Sequence, residues 1–235
     1  MRKRHHSSEF IRSCRGERDS LQVGAGWFWT SSLRVVQTML PRGRSWHVAS
    51  DDGDLALHFL LWLRDAAGVV LPVGIGCTVP PALLTRPDPI DLSIDADGWL
   101  AWWRALLQWQ YVPGDMWKWW QTCPATLAEA IEPFRDPGLT WVQDNVKFSA
   151  AARANRRYGL ALGDHVHTAV RRLQRELGNR LDTLDVSIHG LAVEGDWLRV
   201  EPSGSPVLVS WARVDQPKSW LLDALRPSAT AAAAR

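Results

Sequence analysis

The sequence has few cysteines and no long uninterrupted apolar run. Cys14, Cys77 and Cys123 are the only three cysteines in 235 residues, and none has the short paired spacing of a zinc site or a disulfide scaffold. The longest apolar stretch, residues 69–84, is interrupted by prolines and is shorter than the roughly 20 residues that cross a bilayer. We therefore expect reduced thiols, a cytoplasmic location and no membrane partner.

Sequence motifs of common catalytic and cofactor sites are also missing. No G-x-S-x-G nucleophile elbow occurs, and the Gly74-Ile75-Gly76 turn lacks the third glycine of a dinucleotide-binding loop. His165 and His167 are two residues apart, so on a helix they point in different directions and do not share a metal ion. We expect no cofactor and no metal site, and the sequence favours a protein without catalytic activity.

The composition is that of a globular protein whose charges are unevenly distributed. Hydrophobic residues make up 46% of the chain and charged residues 22%, which excludes disorder of the whole. The net charge of +2 is the balance of +6 in residues 1–44, −8 in 45–144, +6 in 145–181 and −2 in 182–235. Such blocks either face each other or solvent, or they bind an external anionic partner.

The periodicity predicts an α+β fold. It comprises a Trp-rich helical first part, a long helix over 163–178, a three-stranded antiparallel meander over 185–214 and a C-terminal helix over 217–225. A helix over 52–67 and a short strand in the VVLPVGI stretch are expected earlier in the chain. Residues 39–226 are predicted to form one domain, with a candidate sub-boundary at 136–140.

Both ends of the chain are predicted to lie outside that domain. Residues 1–38 show no periodicity and are predicted to be a disordered or artefactual extension, with Met39 rather than Met1 as the candidate start of translation. The alanine-rich residues 227–235 are predicted to be a frayed tail.

Seven of the fifteen tryptophans lie between Trp99 and Trp120. Such a cluster either builds an aromatic core or exposes a stacking surface. If the rings project outward, the candidate binding residues are Trp117, Lys118, Trp119 and Trp120. Because consecutive helical residues are turned by about 100°, at least one ring of this group must be partly exposed or covered by another element.

A second candidate surface is the basic segment 147–180. Its candidate binding residues are Arg156, Arg157, Arg171 and Arg172, which are able to neutralise phosphates or pair with an acidic protein. The alternative is a solvated helix face whose arginines complement the helix dipole.

These features predict a non-enzymatic intracellular protein that binds another macromolecule as a regulatory or neutralising partner. A protein partner is expected, with the tryptophan-rich acidic half as the favoured contact surface, because tryptophan and arginine dominate protein interfaces. Two alternatives stay open: nucleic-acid binding by the basic segment, and an enzyme whose site is assembled from distant residues. The candidates for that dispersed site are Asp51, Asp52, His58, His165, His167 and Glu176.

Overall fold

A computed structural model describes residues 34–39, 45–51, 54–70, 74–79, 94, 96–108, 118–147, 159–178, 181, 183–202 and 205–234. The strands are β1 (Arg34–Met39), β2 (Ser45–Asp51), β3 (Thr183–Leu191), β4 (Leu198–Val200) and β5 (Val207–Ser210). The α-helices are α1 (Leu55–Ala66), α2 (Ala96–Gln108), α3 (Ala125–Ile131), α4 (Arg135–Trp141), α5 (Gly159–Glu176), α6 (Trp211–Val214) and α7 (Pro217–Ala233). Short 3-10 turns cover Lys118–Thr122 and Glu132–Phe134, and a π-helical segment covers Val142–Lys147. None of the helices in these ranges combines the length and apolarity needed to cross a membrane.

The sheet is mixed, with strand order β1-β2-β3-β5-β4. The pairs β2–β3 and β3–β5 are parallel, whereas β1–β2 and β4–β5 are antiparallel. The predicted combination of helices and a sheet is therefore confirmed. The expected antiparallel meander is corrected, because β5 inserts between β3 and β4 and runs parallel to β3. Alternation of apolar and polar residues identifies a strand but does not fix the direction of its neighbour.

Two apolar cores lie on opposite faces of this sheet. On one face, α5 and α7 cover a core that includes Val186, Val170 and Leu225. On the other face, α1 to α4 enclose the aromatic residues and contact Leu191 and Leu208. The buried residues that alternate along β3 face the first core, and Leu191 at the end of the strand belongs to the second.

The predicted helix over 52–67 is confirmed as α1, and its first cap is Asp54. The Asp54 Oδ1 atom accepts the backbone N–H of Leu57 at 2.9 Å, and Gly68 follows the helix with φ +65°. The predicted strand in the VVLPVGI stretch is wrong for its described residues, which form irregular backbone. The following residues pair with the end of the sheet through an isolated bridge between Thr78 and Val193.

Two elements extend across the predicted ends of the domain. The structure places β1 across the boundary at Met39, where it pairs with β2, while residues 1–33 lie outside the described residues. The C-terminal helix continues to Ala233 because alanine has a high helix propensity and Ala229 packs fully buried in the core beneath α5. The candidate sub-boundary at 136–140 lies inside α4, and the one-domain interpretation stays a prediction.

Candidate functional site

The tryptophans of α2 form the centre of the aromatic core. Trp99, Trp102 and Trp103 are each 3% exposed or less. Trp99 stacks on Trp103 with ring centroids 5.1 Å apart, and Trp102 stacks on Trp119 at 6.0 Å. These rings lie in the interior of the protein and are not available to an external partner.

The indole N–H groups of this core differ in their partners. Trp99 Nε1 donates to the Leu60 carbonyl at 2.9 Å, and Trp102 Nε1 donates to the Thr122 hydroxyl at 3.1 Å. Trp103 Nε1 and Trp119 Nε1 are buried without a hydrogen-bond partner in the described structure. Each such orphan donor costs about 1–3 kcal/mol.

Two rings of the predicted tryptophan surface, Trp119 and Trp120, lie among the described residues. Trp119 is 1% exposed and belongs to the core, whereas Trp120 is partly exposed. The Arg135 guanidinium lies 5.2 Å from the Trp120 ring centroid, so this ring is covered by another element, as the helical geometry predicted. Lys118 begins the 3-10 turn, while its side chain and Trp117 lie outside the described residues.

The predicted basic surface includes the outer side of α5. Arg171, Arg172 and Arg175 are exposed, and at 100° per residue they occupy an arc of about 100° on the helix. Val166, Val170 and Leu173 occupy the opposite side and are buried against the sheet. We call the three arginines the arginine face. Arg156 and Arg157 lie outside the described residues.

Glu176 connects the arginine face to α7. Its two carboxylate oxygens accept Arg172 Nε at 3.0 Å and Arg226 Nη1 at 2.5 Å. These two hydrogen bonds, that from Arg226 first, lower the pKa of the Glu176 carboxyl below its ordinary value. One carboxylate thus serves two arginines, and the surface keeps an excess of positive charge.

The histidines of α5 do not converge. His165 and His167 are half-buried and lie on opposite flanks of the arginine face, as their spacing predicted. The described residues contain no group of three or more His, Cys, Asp or Glu side chains arranged to hold a metal ion.

A different cluster lies where β2 and β3 end, and it consists of Asp54, His58 and His189. His58 is fully buried between two backbone partners: its Nδ1 lies 2.6 Å from the Asp54 carbonyl, and its Nε2 accepts the Ala192 N–H at 3.0 Å. Burial lowers the pKa of His58 to about 4, so its imidazole is neutral. His58 is therefore a core histidine whose two ring nitrogens both have hydrogen-bond partners.

His189 lies beside this buried histidine on β3. Its Nδ1 is 3.6 Å from Asp54 Oδ2, and burial lowers the pKa of the His189 imidazole. The parallel pairing of β2 and β3, which brings His189 beside the start of α1, carried no local signal.

The two described cysteines are unpaired. Cys77 is exposed, and Cys123 is half-buried. Burial raises the pKa of the Cys123 thiol to about 12, which makes it unreactive as a nucleophile.

Among the described candidate binding residues, the exposed ones are Arg171 and Arg172 of the arginine face. The Asp54–His189 pair is an acid–base cluster apart from that face. Comparison of the chain with protein-family models, with curated proteins and with solved structures gives no match.

Proposed function

We propose that this protein binds another protein through the arginine face of α5. The observation that carries the proposal is the exposure of Arg171, Arg172 and Arg175 on one side of a helix whose other side is anchored in the core. Of the other candidate surface, the described rings Trp119 and Trp120 pack in the aromatic core and against it.

Arginine is suited to this role because its planar guanidinium makes paired hydrogen bonds to carboxylates and is enriched in protein interfaces. The rigid anchoring of α5 holds the three side chains close together, so little backbone ordering accompanies binding. The partner surface expected from this arrangement is mainly acidic.

Nucleic acid is the alternative partner, and the carboxylates around the arginine face disfavour it. Asp164 and Glu176 are exposed on α5, and Asp223 is exposed on the neighbouring α7. A surface with both signs of charge complements the mixed charges of a protein, whereas it repels part of a phosphate backbone.

The test compares partner capture by the wild type and by the R171Q/R175Q variant. Glutamine keeps the helix propensity and removes two positive charges. The matched control is R104Q, since Arg104 is exposed on α2, away from the arginine face. Partner proteins are captured by affinity purification from the producing cells and quantified by mass spectrometry. The proposal predicts that R171Q/R175Q captures at least tenfold less of these partners than the wild type, whereas R104Q captures the same amount.

Identical partner sets for the wild type and R171Q/R175Q contradict the proposal. Binding of a labelled random-sequence oligonucleotide measured against salt identifies the alternative. Affinity that falls steeply with salt and weakens in R171Q/R175Q, without any lost protein partner, assigns nucleic acid.

A further inference from the structure

The Asp54–His189 pair lies at the carboxyl ends of two parallel strands. Asp54 follows β2 at the start of α1, and His189 is the third residue from the end of β3. In the strand register, the Cα of Asp51 pairs with that of His189. The carboxyl ends of parallel strands are the usual place for ligands in open sheets.

The neighbouring polar atoms are already engaged. His58 uses both ring nitrogens, and Asp54 Oδ1 caps α1 by accepting the Leu57 N–H. These bonds hold the Asp54 backbone and side chain in place. Asp54 Oδ2 is thereby left directed to His189.

His189 is held with one ring nitrogen inward and the rest of the side chain partly accessible. Nδ1 is buried, has no hydrogen-bond partner in the described structure and faces Asp54 Oδ2 at 3.6 Å. The side chain as a whole is 21% exposed, so its accessible surface belongs to atoms other than Nδ1. A carboxylate beside Nδ1 favours the tautomer with a proton there, which leaves the lone pair on Nε2.

We propose that His189 is a general base, oriented by Asp54, that deprotonates a water molecule attacking a small ester at this edge of the sheet. Nε2 takes a proton from the water as its oxygen bonds to the carbonyl carbon. The carbon–oxygen bond to the alcohol then breaks, its electron pair leaves on the alcohol oxygen, and the imidazolium returns the proton. This activity lies beyond the protein binding proposed above.

The charges around His189 are consistent with a base at neutral pH. Burial lowers the pKa of His189, and the Asp54 carboxylate opposes this shift. His58 on α1 is neutral, and the register partner on β5 is the uncharged Leu208, while Asp51 is the register partner on β2. The neutral imidazole required for proton abstraction is thus the form present at pH 7.

The first test uses p-nitrophenyl acetate as the probe with the full chain. H189Q is expected to lower kcat/KM by about 100-fold, the lower end for loss of a general base. The matched control is H47Q, because His47 also pairs with an aspartate, Asp185 at 2.9 Å, yet is 45% exposed on the surface. H47Q is expected to retain the wild-type rate. Equal rates for H189Q and wild type, or equal losses in H189Q and H47Q, overturn the proposal.

The second test separates orientation by Asp54 from its structural role. Asparagine caps helices as well as aspartate, so D54N keeps the cap and removes the charge. The midpoint of the pH–rate profile is expected to move to lower pH in D54N, because the influence that raises the His189 pKa is lost. An unmoved midpoint, or nitrogen NMR shifts showing the proton of neutral His189 on Nε2, overturns the proposal.

Discussion

Trp99 and Trp103 stack on each other in the aromatic core, yet their indole N–H groups have different surroundings. Trp99 donates to the Leu60 carbonyl at 2.9 Å, whereas the buried Trp103 N–H has no partner among the described residues. The pair therefore separates the contribution of a hydrogen bond from that of ring packing.

We expect W99F to destabilise the protein by about 1 kcal/mol more than W103F. Both changes shrink a buried ring, but only W99F loses a hydrogen bond, and W103F removes a donor that is already unsatisfied. Chemical denaturation of the two variants and the wild type measures the difference. Equal costs would show that the Trp99 N–H contributes nothing net to stability.

At the scale of elements, α1 and α4 approach each other closely at Gly138. A Cβ atom at this position would lie 2.5 Å from the Phe59 ring and 2.7 Å from the Trp62 ring. Both rings are fully buried and have no space to move. Only a residue without a side chain fits between these helices.

G138A is accordingly expected to lower the free energy of unfolding by about 1–3 kcal/mol through overpacking. The sign of the change in the free energy of unfolding is informative, because alanine in place of glycine within a helix ordinarily stabilises by up to about 1 kcal/mol. Gly74 is the control, since a Cβ there meets nothing within 4 Å. Thermal denaturation in which G138A is as stable as G74A would contradict the close approach of α1 and α4.

The link between α5 and α7 through Glu176 is expected to depend on pH. Because the folded-state pKa of Glu176 lies below its ordinary value of 4.5, its stabilising effect is complete above that value and is lost as pH falls through the folded-state pKa. The wild type should be more stable than E176Q at pH 7. This difference should disappear in acid, which denaturation midpoints from pH 7 to pH 3 measure. A difference that is constant over this range contradicts the ion-pair link.

For the whole molecule, the elements set by local signals were predictable. The apolar period identified α1 and α5, and glycines with positive φ, Gly68 and Gly178, follow the ends of both helices. The sheet order was not predictable, because it depends on pairs such as His47 and Asp185 that are 138 residues apart. The short strand β4 and the insertion of β5 follow from such distant contacts.

The candidate sites were likewise predictable where they depend on local sequence and unpredictable where they depend on distant contacts. The basic composition of residues 147–180 indicated Arg171 and Arg172 as candidates, and the structure places both beside Arg175 on the exposed side of α5. The sequence left open whether the tryptophans form core or surface, since a helical stripe of rings is compatible with both. The Asp54–His189 pair was missed because strand pairing across the molecule creates it.

We propose that the arginine face of α5 is the surface that contacts a partner protein. The most direct test is to label arginines with phenylglyoxal and to measure the labelling rate of each by mass spectrometry. The rates are compared between the purified protein and the protein in extract of its producing cells. Arg104 reports the general effect of the extract, and the buried Arg64, 4% exposed, is expected to react slowly in both. The account predicts that extract slows labelling of Arg171 and Arg175 at least severalfold more than that of Arg104. Equal slowing at all three exposed arginines would contradict it.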